Sequence, residues 1–454
     1  MELSFEELLE AINGDVIVNS EDKVISNINT DTRKIEKGDI FLALNGENFN
    51  GNKYVKDAFE KGASIAIVDQ ILYDENDIEG YGTVIKVENT YDALLELAKY
   101  YRNKLGLKVI GVTGSTGKTS TKDLVAAFLS EKYKVFKTKG NFNNHIGLPL
   151  MILQLDSSVD VAVLELGMSN LGEIHTLADC ARPDIALITN IGLSHIENLK
   201  TRENILKAKL EITDFFNEDN ILIVNGEDEY LPSVTSDKYS VIKTGYDDKF
   251  SFKASDIKLT DSETSFVLND GKEEKLFKLP MVGAHNVMNA LLGIAAARAL
   301  DVTYDEMIKG LDNIEATSMR LEFLNGDGFT IINDCYNASP SSMKAALDVL
   351  KNYNGSRKVA ILGTMNELGD EADNAHEDVG RYASEKVDLL ITTGEYKDRY
   401  KDGMNNKNIK LYDTKENLID DLSNVIKKGD TILVKASRGI KFEDIVKELQ
   451  SIEI

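Results

Sequence analysis

Residues 111–124 read GVTGSTGKTSTKDL and follow the stretch KVI at 108–110. Glycines let the backbone turn its N–H groups around an anion, Lys118 adds a positive charge, and Thr119 offers a hydroxyl to Mg²⁺ at the start of a helix. A strand, this loop and a helix in that order predict a parallel α/β sheet that holds a nucleoside triphosphate. The alternative is an ordinary glycine-rich turn between a strand and a helix.

The spacing of the glycines is unusual for a phosphate-binding loop. The common pattern G-x-x-x-x-G-K-[ST] requires a glycine where this chain has Val112. The glycines here are Gly111, Gly114 and Gly117. We therefore predict a phosphate-binding loop of a variant type.

Length, charge and cysteine content limit the classes of protein to consider. The chain has 454 residues, and at roughly 150 residues per domain about three domains are expected. A net charge of −24 argues against nucleic-acid binding, because phosphate contacts need clustered Lys and Arg. Cys180 and Cys335 show no metal-like spacing, which fits a reducing compartment. The N-terminus lacks a basic start and an apolar block, and no stretch approaches ~18 apolar residues, so we expect a soluble cytoplasmic protein without membrane insertion.

Apolar runs divide the chain into successive α/β parts. Residues 1–105 form a small module with strands predicted at 40–44, 63–68 and 83–87 and a final helix at 92–104. The next part has short runs that are almost continuously apolar, which is typical of parallel strands covered on both faces. These runs lie at 109–112, 135–137, 161–166, 185–189 and 221–224.

Residues 238–282 have a different pattern. The runs 239–243 and 264–268 alternate apolar and polar residues, and Asn269-Asp270-Gly271 reads as a turn, so we expect antiparallel hairpins here. A helix at 286–300 closes the central part. From about residue 315 a third α/β part begins, with strands predicted at 330–333, 359–362, 389–392 and 432–434.

Two polar residues follow neighbouring predicted strands. Glu165 directly follows the apolar residues 161–164, and His195 lies in the segment NIGLSH after the run at 185–189. The carboxyl ends of parallel strands share one edge of a sheet, where ligands bind. Together with Thr119 these side chains predict an oxygen-rich site with one imidazole, suited to Mg²⁺ or Mn²⁺. Taken singly, Glu165 also fits a capping or ion-pairing carboxylate, and His195 fits a structural histidine.

Lys209 lies on an apolar helix face. In RENILKAKLEITDFF, positions 205, 209, 212 and 216 share one face and are Ile, Lys, Ile and Phe. One interpretation is that the stem of the lysine packs while its ammonium group reaches water.

The loop, Glu165, His195 and Lys209, in this order, resemble the Mur ligase family of ATP-dependent amide-forming enzymes in peptidoglycan precursor synthesis. The loop of that family reads T-G-[ST]-x-G-K-[ST], which accounts for Val112. The resemblance implies three α/β domains: an N-terminal domain at 1–105 for the UDP-sugar substrate, a central P-loop parallel-sheet ATPase domain at 106–314, and a C-terminal Rossmann-like domain at 315–454. The C-terminal domain is expected to bind the amine acceptor and to close on ATP.

Within the family, the chain most resembles the member that adds D-alanyl-D-alanine to UDP-N-acetylmuramoyl-tripeptide. The supporting segments are DTR at 31–33, FLALNG at 41–46, NFNN at 141–144, ELGM at 165–168, GAHN at 283–286, DCYNASP at 334–340 and MNELG at 365–369. The relative that adds the third residue would show D-Y-A-H-x-P near Asp334, and its diaminopimelate form a D-N-P-R motif; the sequence has neither. That enzyme, a folylpolyglutamate synthetase, a P-loop kinase and a non-catalytic nucleotide-binding regulator remain alternatives.

The resemblance also implies roles for individual residues. Lys118, His195 and Lys209 would be catalytic, and Thr119, Glu165, His195 and Lys209, the last carbamylated by CO₂, would hold two Mg²⁺ ions. ATP would be bound by Gly114, Ser115, Thr116, Gly117, Lys118, Thr119, Ser120, Asn286, Asn289, Arg320, Asp334, Tyr336 and Asn337. The muramoyl substrate would contact Thr32, Arg33, Gly46, Asn141, Asn143, Asn144 and Asn337. We expect only small-molecule partners, and a monomer. Taken singly, the two helix asparagines fit surface polarity, Asp334 a turn, and Arg320 a surface salt bridge.

Overall fold

The computed structural model describes residues 1–21, 23–47, 49–74, 78, 80–315, 317–405 and 408–453. Three large sheets follow one another along the chain, with five, nine and six strands, and a small two-stranded sheet accompanies the first. Helices cover the sheets, so the predicted α/β class is confirmed.

The first sheet has the strand order β1-β7-β6-β3-β2, and all its pairs are parallel except that of β1 with β7. The predicted strands and the final helix are confirmed, with ends shifted by a few residues. The strands are β1 Asp15–Val18, β2 Ile28–Asn29, β3 Ile40–Leu42, β4 Asn45–Gly46, β5 Phe49–Asn50, β6 Ile65–Val68 and β7 Thr83–Lys86; the helices are α1 Phe5–Ile12, α2 Val55–Glu60 and α3 Thr90–Leu105. Asn89 caps the start of α3, and Gly106 ends it in the left-handed conformation.

The central sheet has the order β16-β15-β14-β13-β12-β11-β8-β10-β9. Its strands are β8 Lys108–Thr113, β9 Val135–Lys137, β10 Val161–Glu165, β11 Ile185–Ile188, β12 Ile221–Asn225, β13 Ser240–Gly245, β14 Phe252–Leu259, β15 Thr264–Asn269 and β16 Glu274–Leu279. The helices of this part are α4 Lys118–Leu129, α5 Gly147–Ile152, α6 Glu173–Ala181, α7 Ile196–Leu199, α8 Arg202–Leu210, α9 His285–Ala299 and α10 Tyr304–Gly310. The five predicted parallel strands and the long helix are confirmed.

One expectation for this sheet is wrong. The run at 239–243 becomes β13, which pairs in parallel with both β12 and β14. Among the described strands of this sheet, only the pairs β14–β15 and β15–β16 are antiparallel. Alternation reports which face of a strand is covered and not the direction of its neighbours. The turn at 269–271 is confirmed, since it joins β15 to β16 with Gly271 at φ +81°.

Strand β8 is enclosed because its two faces belong to two different cores. Val109 packs in one apolar cluster with Leu97 and Tyr101 of α3. Ile110 and Val112 pack in another with Leu124 and Phe128 of α4 and Leu291 of α9. Burial on both faces explains the continuous apolar pattern and fixes the loop after β8 on a rigid base.

The third sheet has the order β17-β18-β22-β19-β20-β21, with β17 antiparallel and the other strands parallel. Its strands are β17 Glu322–Asn325, β18 Thr330–Asn333, β19 Arg357–Leu362, β20 Leu389–Thr393, β21 Ile409–Tyr412 and β22 Asp430–Lys435; its helices are α11 Pro340–Asn352, α12 Ala372–Ala383, α13 Lys397–Gly403, α14 Lys415–Val425 and α15 Glu443–Ser451. The four predicted strands are confirmed. Across the described ranges, no helix has the length and apolar character needed to span a bilayer.

Candidate active site

The loop between β8 and α4 depends on two glycines with positive φ. Gly114 has φ +150° and Gly117 has φ +80°. A Cβ atom on Gly114 would lie 1.8 Å from Thr189 Oγ1, which no side chain could tolerate. Gly111 and Val112 lie within β8, so the glycine that the common pattern places at 112 falls outside the turn. The unusual spacing therefore has a structural reason.

The end of β11 holds this loop in place. Thr116 N donates to Asn190 Oδ1 at 3.1 Å, and Asn190 Nδ2 donates back to Thr116 O at 3.1 Å. Thr189 Oγ1 donates to the same carbonyl, and Gly192 N donates to Ser115 Oγ at 2.9 Å. Our sequence reading gave Asn190 and Thr189 no role. The available signal was a run of polar residues directly after a buried strand.

Lys118 lies at the first position of α4, where the helix dipole favours an anion. Its Nζ donates to Gly114 O at 2.9 Å. Removal from water lowers the pKa of Lys118, an effect that the Glu165 carboxylate opposes and the Arg320 guanidinium reinforces. An incoming polyphosphate would supply the counter-charge that this lysine lacks.

Glu165 is held by three neighbours and is 3% exposed. Thr119 Oγ1 donates to its Oε2 and Asn143 Nδ2 to its Oε1, both at 2.9 Å, while its own N–H donates to Thr138 Oγ1 at 2.9 Å. Glu165 therefore does not form a surface ion pair. Asn143 contacts this carboxylate in the structure, and its contact with the muramoyl substrate stays a prediction.

Lys209 is 2% exposed, so its ammonium group does not reach water and that interpretation is wrong. Ile205, Ile212 and Phe216 are buried beside it, as the stripe predicts, although α8 ends at Leu210 and a 3₁₀ turn follows. Burial, reinforced by the positive charge of Lys118, holds the pKa of Lys209 well below its ordinary value. Lys209 thus lies close enough to Lys118 for the charge of that lysine to disfavour protonation of its amine.

His195 adopts a left-handed backbone, with φ +64°, just before α7. Its Nδ1 lies 2.5 Å from Glu367 Oε2, and Glu367 belongs to the segment after β19 in the third α/β part. The oxygen is off the N–H direction, because Nδ1 has no aligned hydrogen-bond partner among the described residues. The contact with His195, helped by the charge of Lys118, lowers the pKa of Glu367. Glu367 belongs to the segment MNELG at 365–369, but the sequence alone assigns this carboxylate no role.

The Thr119–Glu165 contact and the effect of Lys118 on Lys209 place three of the predicted metal ligands at the strand edge that carries the loop. The fourth, His195, directly follows Ser194, whose Oγ donates to Ser115 O of the loop at 3.3 Å. Among the described residues, no three His, Cys, Asp or Glu side chains cluster as a metal site. The candidate set is instead a hydroxyl, one carboxylate, one imidazole and one amine, from Thr119, Glu165, His195 and Lys209. The hydroxyl and carboxylate oxygens suit Mg²⁺, and the amine would suit it only after conversion to a carbamate.

Asn286 and Asn289 on α9 are 2% and 6% exposed, so the surface interpretation of these two residues is wrong. Asn289 Nδ2 donates to Asn286 Oδ1 at 3.1 Å, and Asn286 Nδ2 donates to Val282 O at 2.9 Å. A Cβ atom on Gly117 would lie 2.8 Å from Asn289 Oδ1. Asn289 therefore lies against the end of the phosphate loop.

The third part contributes a second group of polar residues. The Arg320 guanidinium lies 4.1 Å from the centre of the Tyr336 ring, and its Nε is buried without a hydrogen-bond partner in the described structure. Arg320 thus forms no surface salt bridge among these residues. Asp334 Oδ2 pairs with Lys435 Nζ at 2.6 Å, and Lys435 also donates to Asn337 O at 2.8 Å. Lys435, which our sequence reading missed, is a buried cation at the end of β22.

Apart from Asn143 and Asn337, the expected substrate residues lie on other segments. Arg33 is on a 3₁₀ turn with Thr32, has a side chain 84% exposed, and pairs with Asp31 at 2.8 Å. Gly46 is in β4, and Asn141 is exposed. Asn144 lines a cavity of about 350 Å³ together with Gly167, Leu171, Glu173 and others.

Comparisons with known proteins agree with this geometry. Models of the Mur ligase family catalytic domain, the Mur ligase middle domain and the Mur ligase glutamate ligase domain match residues 24–102, 112–297 and 319–438. The chain is 42% identical to the UDP-N-acetylmuramoyl-tripeptide--D-alanyl-D-alanine ligase of Bacillus subtilis (strain 168) over 94% of each chain. Among solved structures, it is similar to MurF from Acinetobacter baumannii, with TM-score 0.90, 31% identity and 98% of each chain covered. It is also similar to MurF ligase from Thermotoga maritima in complex with ADP, with TM-score 0.82, 28% identity, and 95% of this chain and 99% of that one covered.

Proposed function

This chain belongs to the Mur ligase family, and on that basis we propose that it uses ATP to join D-alanyl-D-alanine to UDP-N-acetylmuramoyl-tripeptide in peptidoglycan precursor synthesis. One observation of the fold carries the proposal. The buried Lys209 lies beside Lys118, at the strand edge where Thr119 and Glu165 meet. A kinase or a regulator that merely binds nucleotide has no use for a buried amine at that place.

The reaction has two steps. The terminal carboxylate of the tripeptide attacks the γ-phosphorus of ATP, ADP leaves, and an acyl phosphate forms. The amine of D-alanyl-D-alanine then attacks the acyl carbon, inorganic phosphate leaves, the amine loses a proton, and an amide remains. The protein therefore has to align two anions and offset their charge.

The loop residues do most of this work on the ATP side. We assign Lys118 and the backbone N–H groups of 114–120 to the β- and γ-phosphates. Thr119 and Glu165 would hold one Mg²⁺, and Asn143 keeps the carboxylate oriented toward Thr119. Bound magnesium would supply positive charge to the phosphates during transfer.

Lys209 would complete a second ion site. A neutral amine can attack the carbon of CO₂ and, after loss of a proton, carries a carboxylate-like carbamate. The lowered pKa of Lys209 favours the neutral amine. We propose that carbamylated Lys209 and His195 would hold a second Mg²⁺, which would supply positive charge to offset the charge of the reacting anions.

The remaining assignments concern the nucleoside and the other substrates. Asn286 and Asn289 would face the adenine edge. Arg320 and Tyr336 would bind ATP from the C-terminal domain. Asp334 and Asn337 would lie near the ribose. Thr32, Arg33, Gly46, Asn141, Asn143, Asn144 and Asn337 would contact the muramoyl substrate. We further propose the domain division at 105 and 314, a monomer, and a site of action in the cytoplasm with only small-molecule partners.

The net charge of −24 does not conflict with anionic substrates. Local fields decide binding, and the half-buried Lys118 and Arg320 place positive charge in or next to the site.

Mass spectrometry of the products tests the function directly. With ATP, Mg²⁺, UDP-N-acetylmuramoyl-tripeptide and D-alanyl-D-alanine, we expect the mass of the ligated pentapeptide, and none of it when the dipeptide is omitted. A phosphorylated product that forms without any amine would indicate a kinase. Preferential ligation of a different amine from a panel of acceptors would indicate another ligase of the family.

A further inference from the structure

Two non-glycine residues with strained backbones face each other between the second and third α/β parts. His195 and Glu367 both have φ +64°, and His195 Nδ1 lies 2.5 Å from Glu367 Oε2. Left-handed backbone at such residues persists only where the surrounding structure imposes it, and it is common at functional sites. The surrounding structure therefore holds both His195 and Glu367 in the positions that bring them into contact.

The segment that carries Glu367 is fixed from behind. Met365 N donates to Nε2 of His376 at 2.9 Å, and Asn366 N donates to Ser437 Oγ at 2.9 Å. The ring of His376 is fully buried and stacks on Tyr396 with ring centres 4.2 Å apart. Because its backbone is anchored to α12 and to the turn after β22, Glu367 has little freedom to move on its own.

The same segment is packed closely against the start of α7. Glu197 N donates to Glu367 O at 3.1 Å. A Cβ atom on Gly369 would lie 3.1 Å from Glu197 Cα. Glu367 therefore reaches His195 only when the third part is docked on the central part.

We infer that Glu367 is a positioning residue for His195, and that it makes the metal affinity of the His195 site depend on docking of the C-terminal part. With Glu367 as the charged neighbour of Nδ1, Nε2 is the nitrogen left for a ligand. A carboxylate that accepts from the second nitrogen of a metal-binding histidine fixes the ring and raises its basicity. The 2.5 Å approach of Glu367 Oε2 to Nδ1 places the carboxylate for that role, although the hydrogen bond is not aligned in this structure. By linkage, a bound ion favours the docked arrangement to the same extent. The inference rests on the proposed role of His195 as a metal ligand.

The test measures Mn²⁺ binding by electron paramagnetic resonance on the full chain with ADP, for wild type, His195→Ala, Glu367→Gln and Asp370→Asn. Asp370 is an exposed carboxylate on the same segment, so Asp370→Asn removes an equal charge away from His195. We expect His195→Ala and Glu367→Gln to weaken the same binding component about 10-fold or more, and Asp370→Asn to leave it unchanged. In the double variant of His195 and Glu367, the second change should add nothing to the first.

Two controls separate this effect from misfolding. ADP affinity without a divalent ion and the melting midpoint should match wild type in Glu367→Gln. If His195→Ala leaves Mn²⁺ binding unchanged, both the proposed metal role and this inference fail. If His195→Ala weakens binding while Glu367→Gln leaves it unchanged or tightens it, the proposed site stands and only the positioning role is overturned.

Discussion

Lys209 has a core environment that a lysine rarely occupies. The side chain is 2% exposed between Ile205 and Ile212, and the nearest charge that shifts its pKa is another cation, Lys118. An ammonium ion in such a place is disfavoured, so burial shifts Lys209 toward its neutral form. That form is the one able to react with CO₂.

At the scale of this residue, we predict that Lys209→Ala abolishes ligation. Loss of the amine removes the proposed carbamate, so added bicarbonate should not restore activity. The rate of phosphate release would be measured with all substrates present. We expect this rate to fall at least 100-fold, which corresponds to a rise of about 2.7 kcal/mol in the activation free energy. The control is Lys207→Ala, which removes an exposed lysine of the same helix and should keep wild-type turnover. Near-wild-type activity in the Lys209 variant would contradict the role.

The lowered pKa of Lys209 also predicts how stability depends on pH. The folded pKa lies below the ordinary value of 10.5, so between the two values the unfolded chain binds more protons, and the free energy of unfolding rises with pH. Below the folded pKa, Lys209 is protonated in both states, and the full free-energy cost of burying its ammonium ion remains.

In buffers free of CO₂, Lys209→Met should therefore melt at a higher temperature than wild type at pH 7, by about 2–4 °C for each kcal/mol relieved. The difference should shrink as the pH approaches 10.5. Thermal melts across this pH range would measure it, with Lys207→Met as the control. A difference that stays constant with pH would show that packing, and not charge, separates the variants.

At the scale of the element, the phosphate loop is made by two strands and not by one. β8 and α4 provide the chain that turns, while Asn190 and Thr189 at the end of β11 fix the carbonyl and the N–H of Thr116. This arrangement needs β11 to pair directly with β8, which it does. The loop is therefore preorganised before any nucleotide arrives.

We predict that Gly114→Ala lowers nucleotide affinity at least 10-fold, about 1.4 kcal/mol. The added Cβ would lie 1.8 Å from Thr189 Oγ1, so the loop or the end of β11 must move. Calorimetric titration with ADP would measure the loss. Gly172→Ala is the control, since Gly172 also has a positive φ, +85°, but nothing lies within 4 Å of its added Cβ. Equal affinity in both variants would mean that the loop tolerates displacement.

At the scale of the whole molecule, the structure shows the third part docked on the central one. His195 meets Glu367, Glu197 meets the segment 367–369, and Asn354 N donates to Asp261 Oδ1 at 3.0 Å. Substrates and products would have to enter and leave the proposed site, whose residues come from both parts. We therefore predict that the domains move about joints near residues 105 and 315 during turnover.

A reversible cross-link can test this motion. A Cβ atom on Gly369 would lie 3.3 Å from Glu197 Cβ, near the roughly 3.5–4.5 Å of a disulfide. We expect the Glu197→Cys, Gly369→Cys double variant to lose most multiple-turnover activity on oxidation and to regain it with reductant. The native Cys180 and Cys335 are buried and should not interfere. The Glu197→Cys single variant is the control, and full turnover in the cross-linked protein would show that this contact need not open.

Much of the architecture follows from the sequence because its causes are local. Adjacent residues alone predict three kinds of local structure, and each is confirmed. They are the strands from apolar runs, the turn at 269–271, and the loop between a strand and a helix from the glycines before Lys118. The loop motif and the order of Glu165, His195 and Lys209 were likewise sufficient to indicate the family.

Only the tertiary structure decided the rest, because it depends on residues far apart in the chain. Four features arise only when separate segments meet. They are the direction of β13, the hydrogen bonds of Asn190 to the loop, the Lys435–Asp334 pair and the contact of His195 with Glu367. The same is true of Lys209, whose helix pattern allowed either an ammonium in water or an amine in the core. Neighbours from other elements exclude water there, and exclusion of water is what changes the chemistry of the side chain.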